Sequence, residues 1–479
     1  ALLGLVAMLS VLTLGWRLSG TSTGACTAAA VLTTSFYFQD TVHYCLTNAP
    51  LVAAVALAIF AFEPIAATRN WIAWGALFYA ALGFAFLSKN LYGVAVPGIA
   101  VLAYSLVARD LRVIRRLLLS PSPLVLLAMV LPWLCLLYRA GQGESPPKGY
   151  DFLREVLIAN NFGRFFLGYG GHDSYQWYEV AGFVAAAIVP WSPLALVALL
   201  ANLRESRAAD PAVRRRAQLL STWMVAPVLM VAASRSKRPD YMVAMIPAFA
   251  VATGVWWSEV IRDPSRRIER MLLLLAGLAA AAGPFALSIE DFIVRGSAGW
   301  ISIAASAVGL LLLLIAVSCI RRGTLAALAM VTVLGAIMLS MAALDPAIVQ
   351  ARDRDSGESF GEDLSESCPV GVVGALGFGE REFGLSYFYL GRTVTDLNGR
   401  TFIERARFLA DPRTAGVLIA SGAHGERKTP GQLIDQYLGP APPPVRVRIE
   451  GMVGGRRLLF VTREFASRPA EGVLPKQLW

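Results

Sequence analysis

The chain has 479 residues, 56% hydrophobic and 16% charged, with a formal charge of +10. A soluble domain carries about 25% charged residues, so this composition excludes a wholly soluble chain. The excess charge lies in short basic breaks between apolar stretches, which leaves no need for a nucleic-acid partner.

The apolar stretches fill the first two-thirds of the sequence, and from about Asp345 the composition becomes ordinary and charged. The reading is a multi-span α-helical membrane domain over 1–343, followed by a small α/β domain over 344–479. A spanning helix needs roughly 20 apolar residues. Spans are predicted near 1–16, 22–38, 49–66, 70–87, 90–107, 122–138, 176–201, 217–233, 241–257, 271–288, 299–319 and 324–343. The pair on either side of Lys89-Asn90 can also be drawn as one re-entrant pair. The first span opens at Ala1 with neither Met nor a charged flank, as though cut into.

Basic residues set the orientation. Arg17, Arg69, the run Arg109–Arg116, the run Arg204–Arg216, the run Arg262–Arg270 and the pair Arg321-Arg322 fall in alternate breaks. The breaks near Asp40, Lys89 and Glu290-Asp291 are poor in arginine. The arginine-rich set is cytoplasmic by this bias. The 139–175 loop and the C-terminal domain then face outward, periplasmic or extracellular.

The 139–175 loop opens on Gly141, Gly143, Pro146 and Pro147, which break structure. Phe152, Val156, Ile158 or Ala159, and Phe162 then recur at helical spacing, predicting a short amphipathic helix at the interface that ends before Gly168. Phe165, Phe166, Tyr169, Tyr175, Trp177 and Tyr178 crowd the same region, as an aromatic belt would. In the tail, Val370–Phe378, Arg392–Leu397 and Gly416–Ala420 read as strands, and Glu380–Leu390 as a helix. Val445–Glu450 and Arg456–Thr462 flank Gly454-Gly455 as a hairpin, after a stiff linker through Pro440, Pro442, Pro443 and Pro444. The glycine-rich run 374–379 lacks the spacing and acidic partner of a nucleotide fingerprint. The five cysteines have no metal or disulfide spacing, and Cys26, Cys45, Cys135 and Cys319 suit small-residue packing.

Three cationic clusters come to the outer face: Lys89 in Leu87-Ser88-Lys89-Asn90, Arg164 after the amphipathic helix, and Lys237-Arg238 in Ser236-Lys237-Arg238-Pro239-Asp240-Tyr241. A cation beside an apolar span is costly unless it is paired or functional. Three that converge would suit a phosphate at headgroup depth, whereas each alone would serve as a snorkelling anchor. His172 lies alone in its loop with no second ligand at metal spacing. The pairs Pro132-Trp133 and Pro190-Trp191 read as structural, a bend and an anchor each.

Taken in order, these segments resemble the ArnT-like branch of the polyprenyl-phosphate-sugar glycosyltransferases, the GT-C type related to the protein O-mannosyltransferases. The match runs from Leu-Ser-Lys-Asn near 89 through Pro132-Trp133, Phe152 to Phe165 with Asn161 and Arg164, and His172 and Tyr178. It continues through Pro190-Trp191 and Lys237 to Tyr241 with Pro247, and the tail segment Phe378 to Arg392 also looks like that branch. The resemblance implies transfer of a sugar from a polyprenyl-phosphate donor to a lipid A-like or protein acceptor, at the outer face of the bacterial inner membrane. It implies donor-phosphate contacts by Lys89, Arg164 and Lys237, with Tyr241, His172 and Tyr178 beside them. No organic cofactor is implied; a divalent metal is compatible. The family's acceptor-activating carboxylate is expected before Ala1, and Asn48 stands where the family commonly has an Asp. An Asn cannot ionise, so the 479-residue chain is expected to bind donor without transferring sugar, unless Asp40 serves as the base. The alternatives are a transporter or flippase of a lipid-linked sugar, and a non-catalytic lipid-phosphate binder. No clear internal repeat supports the transporter.

Overall fold

A computed structural model describes residues 2–43, 47–66, 70–141, 153–168, 175–273, 358–367, 371–378, 394–421, 428–439, 444–453 and 456–463, with isolated positions between 275 and 318. The chain divides into two compact units, Ala1–Ala343 and Leu344–Trp479.

The first unit is helical. Its elements are α1 (Leu2–Ser19), α2 (Ser22–Thr34), α3 (Phe36–His43), α4 (Asn48–Phe62), α5 (Trp71–Val107), α6 (Arg112–Leu118) and α7 (Pro123–Gly141). A π-helix (Arg154–Leu167) follows, then α8 (Glu179–Ala187), α9 (Ser192–Glu205), α10 (Pro211–Ala233), a 3₁₀ turn (Pro239–Met245) and α11 (Ile246–Arg262). Among the described residues five helical stretches are long and apolar enough to cross a membrane, and two further bent pairs meet the same criterion together.

One of those stretches, α5, is two helices. Lys89 and Asn90 have non-helical dihedrals, and Gly93 sits so close to the Ala85 carbonyl that a Cβ would have no room. Eight residues along a straight helix are about 12 Å apart, so the chain must reverse at Lys89-Asn90. The expected spans 70–87 and 90–107 are the two arms of this hairpin.

Other boundaries differ from the sequence reading. The 22–38 span is broken at Ser35, whose extended backbone separates α2 from α3. The 122–138 span bends by 46° against α6, and 176–201 is no single rod: α8 and α9 meet at 111° across a break holding a cis Val189–Pro190 bond. There Trp191, 2% exposed, donates from Nε1 to Thr34 Oγ1 at 2.7 Å, so this Trp is a core residue rather than an interfacial anchor. Cys26 and Cys135 are exposed on their helices, not packed as expected. The spans 271–288, 299–319 and 324–343 lie almost wholly outside the described residues.

Close packing holds the bundle. In lipid, apolar burial gives little drive for helices to associate, so small residues that admit backbone contact matter most. Gly15 on α1 faces Ala25 and Ala28 of α2 at 3.1–3.2 Å from its would-be Cβ. Gly254 on α11 meets the same stretch of α2 at the Gly24 carbonyl and the Ala28 amide. Helix α4 is buried nearly all round, which marks it as central.

The two ends of α4 differ in charge. Beyond its C-terminus Arg17 donates to Phe60 O, Arg116 to Ile65 O, Arg216 to Leu18 O and Arg262 to Ser19 O. Arg216 and Arg266 each pair with Glu205 and Glu259, and Glu269 bonds Arg204, Arg266 and Trp256. These six arginines, all assigned to the cytoplasm, thus gather at one end of the bundle. Asn48 starts α4 at the other end, roughly 25 Å away at 1.5 Å per residue.

The second unit is α/β. Strands β1 (Val372–Leu376), β2 (Thr395–Asp396), β3 (Thr414–Ala420), β4 (Val445–Val453) and β5 (Arg456–Arg463) form one sheet in the order β2-β1-β3-β5-β4. The first three are parallel, and β5 is antiparallel to β3 and β4. Period-2 alternation sends Val373, Ala375, Leu418 and Phe460 to one face, against Phe360 and Leu364 of α12 (Glu358–Ser367). Leu376, Val417, Ile419 and Leu459 point to the other, against α13 (Phe402–Ala410) and α14 (Pro430–Leu438). Both of those helices open with capping boxes, Thr401/Glu404 and Thr429/Gln432. The sequence reading foresaw the strands but none of these three helices; its expected helix at 380–390 and all of its proline linker but Pro444 fall outside the described residues. Gly377 at φ +69 and Gly374 against Leu397 and Phe408 show the glycine run serving a turn and close packing.

Candidate active site

The site is assembled at the arginine-poor end of α4 from four segments. Lys89 occupies the reversal of the α5 hairpin. Its Nζ donates to Asn48 Oδ1 at 2.7 Å and to Asp240 Oδ2 at 2.8 Å. The other carboxylate oxygen of Asp240 lies 3.1 Å from Arg238 Nε. The remaining face of the ammonium looks over the rings of Tyr241 (4.9 Å) and Tyr92 (5.9 Å), a cation–π arrangement. Those rings stack at 4.8 Å, and Tyr92 donates its hydroxyl to Tyr241 O at 2.7 Å, tying the hairpin to the 3₁₀ turn.

The segment from Ser234 to Tyr241 is fixed from both ends. Ser234 caps α10, and Pro239 begins the 3₁₀ turn with the φ that a first helical position requires. Between them, Arg235 N donates to Phe165 O at 2.8 Å and Ser236 N to Arg164 O at 3.2 Å. These two bonds stitch the end of the π-helix to the site. Asn161 donates its amide to Val156 O, five residues back, at 2.6 Å, in keeping with the widened turn. The helix stops at Gly168, which is left-handed at φ +68. The amphipathic helix expected here is therefore present, in π rather than α form.

Two cavities flank the segment. The first, about 440 Å³, is polar: Asp40, Thr41, Asn48, Lys237, Arg238 and Asp240 line it, with Tyr37 and Tyr175. The second, about 310 Å³, is mostly apolar, lined by Leu91, Ala95, Phe162, Phe165, Phe166 and Met230 together with Arg164, Ser236, Tyr92 and Tyr241. Ser234, Ser236 and Tyr241 face the apolar cavity and Lys237 to Asp240 the polar one, with Lys89 bonded to residues of the polar wall.

Charge is unbalanced here. Lys89, Arg164, Lys237 and Arg238 face two carboxylates, Asp40 and Asp240. Lys237 is 8% exposed and, among the described residues, has neither a hydrogen bond nor an ion pair. Buried Arg164 Nε and Ser236 Oγ have no partner either, and both residues line the apolar cavity. Buried donors without partners cost free energy, and such groups at a cavity wall are suited to an anionic ligand. Among the described residues no three His, Cys, Asp or Glu side chains gather into a metal-holding group.

The structure therefore brings together Asp40, Asn48, Lys89 and Lys237, and sets Arg164 and Tyr241 at the adjoining cavity, Tyr241 with its ring against Lys89. Tyr178 lines neither: it is 59% exposed and edge-on to Trp177, because it precedes α8 on the outer surface. Tyr175, three residues earlier, lines the polar cavity instead. His172 lies outside the described residues. Asp240 and Tyr92 were given no role by the sequence reading, whereas Arg238 was read with Lys237 as one of the outer-face cationic clusters. Asp240 had a legible signal as an acid one proline beyond a run of three basic residues in four, Arg235 to Arg238. Tyr92 had none, since an aromatic beside an apolar span is commonplace.

Residues 1–136 match the family described as dolichyl-phosphate-mannose-protein mannosyltransferase. The chain is 24% identical over 301 residues to the undecaprenyl phosphate-alpha-4-amino-4-deoxy-L-arabinose arabinosyl transferase of Pectobacterium atrosepticum, covering 58% of this chain. It is 26% identical over 281 residues to the enzyme of that name from Yersinia pestis, covering 56% of this chain. It spans about half the length of these curated relatives, 51% and 46%. Among solved structures it superposes on ArnT from Cupriavidus metallidurans bound to undecaprenyl phosphate, with TM-score 0.65 and 18% identity over 98% of this chain and 84% of that one. The apo form of the same protein gives TM-score 0.67 and 18% identity over 96% and 82%. The chain is thus ArnT-like, a helical membrane protein with the multi-span GT-C fold of that transferase.

Proposed function

We propose that this protein is a membrane glycosyltransferase that moves a sugar from a polyprenyl-phosphate donor to a lipid or protein acceptor at the outer face of the inner membrane. The observation that carries the reading is the pair of cavities on either side of the 234–241 segment, one apolar and lined by an arginine whose Nε is buried, the other polar and lined by buried Lys237. An isoprenoid phosphate needs that combination: apolar walls for the chain, cations for the head. The C-terminal unit faces outward on the same reading, which rests on the arginine alternation.

The chemistry is a displacement at the anomeric carbon. The acceptor oxygen or nitrogen bonds to that carbon as its bond to the phosphate oxygen breaks. The electron pair leaves with the polyprenyl phosphate, and the acceptor proton passes to a base. Charge grows on the leaving phosphate, so cations held in place before the reaction stabilise the transition state. Lys89, Lys237 and Arg164 take that role, with Tyr241 buttressing Lys89. Asp40 lines the polar cavity beside them and is the base we assign within the 479 residues.

The test is binding of undecaprenyl phosphate to the purified chain, followed by transfer of a labelled sugar from polyprenyl-phosphate donors to membrane lipids. Saturable binding that weakens in Lys237→Ala upholds the reading, and its absence refutes it. Transfer lost in Asp40→Asn makes Asp40 the base. Transfer that requires an added upstream acidic segment places the base there instead.

A further inference from the structure

Lys89 is gripped from two sides by side chains of nearly the same shape, only one of which is charged. Asn48 Oδ1 and Asp240 Oδ2 accept from Nζ at 2.7 and 2.8 Å, and Asp240 alone goes on to Arg238. We propose that Asp240 is the positioning residue for Lys89, and that the negative charge it supplies can be provided equally from position 48. The consequence for sugar transfer rests on the glycosyltransferase reading; the positioning itself does not.

Three observations support this. First, an ammonium has three protons, and here two go to residues 48 and 240 while the third faces the Tyr241 ring. The head group is therefore fully committed, and its direction is set by these partners. Second, like charges surround it: Arg238 shares its carboxylate, while Lys237 and Arg164 line the cavities on either side. Without Asp240, Lys89 keeps one neutral acceptor amid three repelling cations and swings away. Third, the backbone beneath it is unusual, since Asn90 has φ +51 and ψ −145, a region non-glycine residues rarely enter. Such a turn persists only where contacts around it hold it, and the Lys89 grip is such a contact, beside the Tyr92–Tyr241 bond. Asn48, 6% exposed at the first turn of α4, sits where a carboxylate would serve equally.

The test uses the whole chain in detergent and reads Lys89 directly, by trace acetylation with isotopic acetic anhydride and mass spectrometry, with Lys428 as internal reference. A lysine relieved of its carboxylate reacts faster. Asp240→Asn is expected to speed Lys89 about tenfold, the low end for loss of one charge-assisted bond. The exchanged pair Asn48→Asp with Asp240→Asn is expected to return it to the wild-type rate. An unchanged rate in folded Asp240→Asn overturns the proposal, as does a fast rate in the folded exchange variant. Should Asp240→Asn unfold, the exchange variant decides: folded with wild-type reactivity supports the proposal, unfolded refutes it. In sugar transfer, Asp240→Asn should lower kcat without raising KM for the donor, because removing an acid leaves ground-state attraction for phosphate intact. The exchange should restore kcat, which a merely structural lesion would not allow. If Lys89 follows the carboxylate in a chain that binds no undecaprenyl phosphate, the positioning stands and the transferase reading falls.

Discussion

Arg164 offers the sharpest separation of stability from function. It projects from the π-helix into a cavity of about 310 Å³ with mostly apolar walls, and its buried Nε has no partner. Leaving one buried donor unsatisfied costs about 1–3 kcal/mol. Replacing Arg164 with Met keeps the length and apolar stem and removes the orphan. The ligand-free protein is therefore expected to hold its stability or gain up to ~1 kcal/mol. Binding should move the other way. A charge-assisted contact to phosphate contributes about 1.5–3 kcal/mol, so affinity for undecaprenyl phosphate should fall roughly 10- to 150-fold. The assay is thermal unfolding in detergent, with and without undecaprenyl phosphate, using undecaprenol as the uncharged control. Wild type should be stabilised by the phosphate more than by the alcohol; Arg164→Met should treat the two nearly alike. A variant that unfolds early while keeping its phosphate-dependent shift would show Arg164 to be a structural anchor and refute the reasoning.

Gly93→Leu should destabilise the α5 hairpin by several kcal/mol, since the Ala85 carbonyl occupies the space of any side chain; early thermal unfolding with loss of Lys89-dependent binding is the readout. At the arginine-rich end, Glu205→Gln strips Arg216 and Arg266 of a partner that is only 13% exposed, but Glu259 stays on both, so the cost should be that of a charge-assisted bond, about 1.5–3 kcal/mol; an unfolding midpoint unchanged from wild type would contradict this. In the C-terminal unit, the backbone N–H of Thr401 and then its hydroxyl hold the Glu404 carboxyl below the ordinary glutamate range. A depressed carboxylate stabilises the fold above its unfolded value and loses that effect as pH falls through its folded value. Amide-exchange protection at the start of α13 should therefore decline below about pH 4.5 in wild type, and Glu404→Gln should flatten that dependence.

What the sequence determined by itself was whatever depends on local pattern. Apolar runs of sufficient length, the alternation of arginines, and the strands ending in Leu376 and Ala420 can be read along the chain, because hydrophobic periodicity and lipid thickness act over a single element. The order of Lys89, Arg164, Lys237 and Tyr241 was likewise legible enough to resemble a family. Tertiary structure decided the rest. A break at Ser35 and the 111° bend between α8 and α9 arise from how helices seat against one another, and hydropathy averages over such breaks. That Lys89 spends two protons on Asn48 and Asp240, residues 41 and 151 positions away, could not be read from spacing, because ion pairing is set by distance in space. The same holds for Arg164 and Lys237: their charges are written in the sequence, but only the fold leaves both without partners at the walls of adjoining cavities, and it is that shortage which makes them a candidate phosphate site.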